Sequence, residues 1–188
     1  VGDLKQNILP IAFGSNTIYN STTPGSKDVT VRMAGLTTLF SAGKFSVSDL
    51  RDQPARYTLI AANKLENAEL LWFQDNLTTP AAGKAHLRII HASGDAPAVN
   101  AFIGTATTPL YGSAISYRGA SSFVALDATL LGTAYSIQIR NAATNALIRT
   151  QTMTAVDGKI YTIVVRGSVT PSPWLTANTV SSTLVANN

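Results

Sequence analysis

Polar and apolar residues alternate along much of this chain with a period of two. Tyr135, Ile137 and Ile139 alternate with Ser136, Gln138 and Arg140, and Val29-Thr30-Val31-Arg32, Phe45-Ser46-Val47-Ser48 and Leu87-Arg88-Ile89 follow the same rule. Side chains of a strand point to opposite faces in turn, so this period predicts strands with one buried face. The runs Tyr57–Ala62 and Ile160–Val165 are rich in β-branched and aromatic residues and predict two further strands. Gly, Pro, Asn and Asp punctuate the runs at short intervals, the pattern of a sandwich built from short strands. The best helical candidate is Lys64–Gln74, but its Leu65, Leu70, Leu71 and Trp72 make no clean helical stripe.

An internal repeat organises these elements. Phe13 and Tyr19 match Tyr117 and Phe123, and Tyr57-Thr58 matches Tyr161-Thr162, all at an offset of 104. Val29, Val31 and Arg32 match Ile137, Ile139 and Arg140 at an offset of 108, the difference being loop length. The repeat predicts an all-β chain of two related domains, 1–77 and 84–188, joined by the Pro/Gly/Thr linker 78–83. It also predicts two equivalent cores: Phe13, Tyr19, Val29, Val31, Tyr57 and Leu59 in the first, and Tyr117, Phe123, Ile137, Ile139, Tyr161 and Ile163 in the second.

The second domain opens with Lys84–Phe102, which the first lacks. That stretch predicts a strand over His86–His91 and another over Val99–Ile103. A sandwich without them exposes core and an unpaired strand edge. Two explanations stand side by side: another chain supplies the strand, or the opening strands lie outside the sequence in hand. The first predicts head-to-tail self-association by donor-strand complementation. Its leading donor is the C-terminal stretch with Trp174, Val180, Leu184 and Val185, which alternates weakly; the linker and the Lys84 strand are the other candidates.

Composition narrows the function. Only 13% of the 188 residues are charged and 45% are hydrophobic, so Thr, Ser, Asn and Ala dress the surface, which suits close packing of subunits. The net charge of +4 comes from singly scattered basic residues, with no basic stripe of the kind that binds nucleic acid. Cysteine is absent, which removes disulfides and thiolate chemistry. No apolar run is long enough for a transmembrane helix.

Candidate chemistry is sparse. His86 and His91 are the only histidines and, five apart in one strand, face opposite ways. A zinc site needs three or four ligands, so neither metal nor cofactor is expected. His91 and Asp95 can meet across a turn, but the simpler reading is that Ser93 and Asp95 hold the Asp-Ala-Pro turn ending at Pro97 by accepting backbone N–H bonds. Ser41-Ala42-Gly43-Lys44 fits an S-x-x-K pattern without its companion motifs. The ten acidic residues sit mostly in predicted turns. Trp72, Phe73 and Trp174 lie near domain ends, as core caps or as contacts for a subunit or ligand. No catalytic residue is expected.

The run Ala85-His86-Leu87-Arg88-Ile89-Ile90-His91-Ala92-Ser93-Gly94-Asp95-Ala96-Pro97-Ala98-Val99 resembles the opening motif of the DUF4397 family, "VRVVHASPDAPAVDVYV", departing from it at Gly94. Asp157-Gly158-Lys159-Ile160-Tyr161-Thr162 resembles the family's later strand entry, and Pro10–Ser15 and Thr23–Ser26 resemble its mid-domain turns. The resemblance implies tandem immunoglobulin- or transthyretin-like β-sandwiches, the first lacking its opening strands. It further implies the mature part of an exported protein at the cell surface, with no catalytic residues to carry over. The expectation is therefore a non-enzymatic structural or adhesive surface protein, a filament subunit or the binder of a surface partner. A monomeric carbohydrate- or ligand-binding module is the alternative, and a hydrolase using acids paired by the fold is a third.

Overall fold

A computed structural model describes residues 12–32, 39–47, 56–63, 67–170 and 179–187. They form eleven strands and no α-helix. In chain order the strands are β1 (Gly25–Arg32), β2 (Leu39–Val47), β3 (Arg56–Ala62), β4 (Glu69–Asp75), β5 (Lys84–His91) and β6 (Val99–Ile103). Then come β7 (Val124–Asp127), β8 (Thr133–Asn141), β9 (Leu147–Ala155), β10 (Ile160–Arg166) and β11 (Ser181–Ala186). The weak helical candidate resolves into β4: Leu71, Phe73 and Asp75 share one face of a strand, while Leu70, Trp72 and Gln74 share the other.

Two sheets enclose the main core. One has the order β11-β10-β5-β7, the other β6-β8-β9. Leu87 and Ile89 of β5, Ala101 of β6, Ile137 and Ile139 of β8, Met153 of β9 and Ile163 and Val165 of β10 meet between them, with Leu184 of β11 packed alongside. β10 and β5 run parallel, with Ile160 opposite His86 and Val165 opposite His91; their other partners in this sheet are antiparallel.

That parallel pair is buried on both faces, which explains why β10 reads as an apolar run interrupted only by Thr162 before Arg166, rather than as an alternating one. Its second face meets the β3–β4 hairpin. Ala62 and Leu71, with Ile60 and Phe73, pack against Val164, Ala92 and Tyr117 in a smaller apolar cluster. The hairpin's opposite face looks toward β1–β2, where Gly43 leaves only contact distance, 3.4 Å, between a methyl in its Cβ position and Leu70. β1 and β2 pair antiparallel from Gly25–Val47 to Arg32–Leu39.

Half of the residues expected in the first core lie elsewhere. Phe13 is 58% exposed, Tyr19 38% and Leu59 39%. Phe13 instead covers the guanidinium of Arg166, and Tyr19 hydrogen-bonds to Asp75. The reason is in the register of β3: Thr58, Ile60 and Ala62 point at the neighbouring sheet, so Tyr57 and Leu59 face the other way. In the second set Ile137, Ile139, Tyr161 and Ile163 are buried, while Tyr117 and Phe123 are half-buried.

Candidate functional site

The conspicuous turn after β5 is a clamp on a distant loop. Ser93 donates its hydroxyl to the carbonyl of Gly167. Asp95 accepts from the amides of Val169 and Thr170 at 2.9 and 3.2 Å and from the hydroxyls of Ser168 and Thr170. The expected role of Ser93 and Asp95 inside their own turn is thus corrected: their side chains fasten the chain leaving β10, and the turn itself closes through the amide of Ala96 on the carbonyl of Ser93. Burial pushes the Asp95 carboxyl upward, but the four bonds outweigh it and hold the group well below its usual range.

His91 is fully buried. Its Nε2 lies 2.9 Å from the carbonyl of Pro97, and its Nδ1 receives the amide of Ser93 at 3.3 Å. This pairing fits the neutral ring with the proton on Nε2. Desolvation lowers its pKa below the ordinary 6.5. Both nitrogens are engaged by the backbone and neither meets a hydroxyl, so His91, Ser93 and Asp95 are not arranged as a proton relay. His86 lies apart, its ring 6.4 Å from that of Phe123. Among the described residues no three His, Cys, Asp or Glu side chains converge as metal ligands.

A buried polar network lies where the hairpin meets the sheet. Arg88 and Asp75 form an ion pair with 3% and 0% of their side chains exposed. The guanidinium also donates to Thr162 and Thr58, each at 3.1 Å, and to the carbonyl of Gln74 at 3.3 Å. Asp75 accepts further from Thr58 and from Tyr19, the latter at 2.6 Å. Asn187 closes the ring, accepting from Thr162 and donating to Tyr19. Every buried polar side chain of the described residues is satisfied, as such a network requires. The sequence shows Arg88 only as one of several scattered basic residues. The available signal was a charge in the middle of the apolar run Leu87–Ile90, which needs a buried partner.

Beside this network a groove of about 610 Å³ opens. Trp72, Phe73 and Gln74 of β4 with Asn76 just beyond it form one wall, Ala120–Phe123 the other, and His86 and Arg88 line it too. Arg88 donates to the Gln74 carbonyl, which ties the floor of the groove to the backbone of β4.

Of the predicted assembly residues, Val180 and Leu184 pack against the main core and Val185 pairs with Thr162, so this stretch is the edge strand of its own sheet. Trp174 lies outside the described residues.

The architecture is that of an all-β protein assembled from several sheets. A family model, a domain of unknown function (DUF4397), matches residues 3–102, more than half of the chain. The chain belongs to the DUF4397 family. The match runs from the first half through β5 and β6 and includes the His91–Pro97 turn. No curated protein matches the chain.

Proposed function

We propose that this is a non-enzymatic extracellular structural or adhesive protein whose copies join head to tail by strand complementation. In this reading the chain holds two tandem immunoglobulin- or transthyretin-like units, and the first takes its missing strand from a neighbour. One observation carries the reading. In the repeat reading β3–β4 corresponds to β10–β11, and β3 and β10 lie 104 residues apart at both ends. β10 is flanked by β11 and by β5, whereas β3, among the described residues, pairs with β4 alone. Among the described residues, and in this reading, one strand of the β5 kind then serves two strands of the β10 kind. An edge of this kind, with no second strand beside it among the described residues, can take an extended segment, which supplies ladder bonds and seats alternate side chains. Such a contact is heterologous and propagates.

Among the chain's own strands β11 is the donor candidate, since as an edge strand it gives up only the β10 ladder on leaving. Sedimentation and negative-stain electron microscopy of the full chain test the proposal, with and without a synthetic Lys84–His91 peptide. Concentration-dependent fibres that shorten with the peptide are expected. A monomer at every concentration overturns it.

A further inference from the structure

We infer that the groove between β4 and Ala120–Phe123 is a binding site for a neutral oligosaccharide. The inference stands independently of strand complementation, which concerns the edge of β3. Its first support is shape: about 610 Å³ lies well within the range of small-ligand sites, and the groove is open along a strand edge, as a linear chain requires.

The second support is the lining. Trp72, 47% exposed, brings an indole ring to the rim, while Phe123, with the Arg88 guanidinium over its ring, and Phe73, packed into the smaller apolar cluster, make the wall apolar. Gln74, Asn76, Ser121 and Ser122 supply amides and hydroxyls. Flat apolar rings beside uncharged donors and acceptors match the two surfaces of a pyranose, its C–H face and its ring of hydroxyls.

The third support is charge. The one guanidinium in the groove, that of Arg88, is already engaged: Asp75 pairs with it, Thr58, Thr162 and the Gln74 carbonyl accept its hydrogen bonds, and the ring of Phe123 lies 4.9 Å from its centre. No carboxylate lines the groove. With no carboxylate, with its guanidinium already paired and with His86 the one other ionisable side chain in its lining, the groove suits a neutral ligand.

The test titrates the full chain with cellohexaose, xylohexaose, laminarihexaose and chitohexaose, followed by calorimetry and by tryptophan fluorescence. At least one hexaose binds in the micromolar to low-millimolar range. Trp72→Ala and Gln74→Ala, both at exposed positions, each weaken it at least tenfold, while Leu131→Ser, at an exposed turn residue that does not line the groove, leaves it unchanged. Circular dichroism confirms that each variant folds. Absence of binding by all four sugars to the folded wild type overturns the inference, as does binding that survives both groove substitutions. Loss of self-association in Trp72→Ala without any sugar binding would assign the groove to a peptide strand instead.

Discussion

His91 shows what one residue contributes by staying neutral. Its ring is sealed between the carbonyl of Pro97 and the amide of Ser93, with Tyr117 edge-on at a centroid distance of 6.2 Å. Burial lowers its pKa in the folded protein, so the unfolded chain binds the proton more readily. The stabilisation is then complete above the ordinary value near 6.5 and is lost as pH falls below it, toward the lower folded value. Thermal melts of the wild type should accordingly fall between pH 7 and 5. His91→Gln, which keeps a polar group but does not titrate, should be less stable at pH 7 and flatter across that window. Melts of equal slope in the two proteins would contradict the assignment. Asp95 acts in the same direction further down, with its stabilisation lost as pH drops below the usual carboxylate range. The sequence made the importance of these two residues legible, because a His-Ala-Ser-Gly-Asp-Ala-Pro turn is distinctive. It could not show that Asp95 reaches Val169 and Thr170, because nothing local links residues 74 and 75 positions apart.

Among the elements, strands were easy to read and their packing was not. β3, β5, β6, β8 and β10 fall close to where alternation and β-branched runs place them, since period two is a local property. Which face of β3 is buried was misjudged, because Tyr57 and Leu59 look more apolar than Thr58. Yet Thr58 belongs to the Arg88–Asp75 network, and a satisfied polar group can be an inward one. This network pins the β3–β4 hairpin to β5 and β10. Arg88→Met should cost about 3–5 kcal/mol in urea unfolding, because it strands the buried Asp75 carboxylate. The double replacement Arg88→Met/Asp75→Leu should recover most of that loss. Hydrogen exchange should show the amides of β3 and β4 losing protection first in the single variant. A single variant as stable as the wild type would refute the network's role.

Over the whole molecule, the parallel pairing of β5 with β10 governs the order of events in folding. Their paired residues stand 74 positions apart in the chain, as with Ile160 opposite His86. Closing so long a loop precedes any return from the contact, and parallel pairings of this kind form slowly. Until β10 emerges, β5 is an apolar strand without its main partner, and the hairpin β3–β4 has half of its docking face missing. A chain cut after Asp157 should therefore bind the hydrophobic dye ANS and show little exchange protection, and adding the Gly158–Asn188 fragment should restore both toward native values. A cut chain that is protected and dye-free on its own would show that β10 is dispensable. Strands β3 to β9 thus wait for β10 before they can close, and any stretch of them drawn through a narrow pore ahead of β10 stays pliable while it passes.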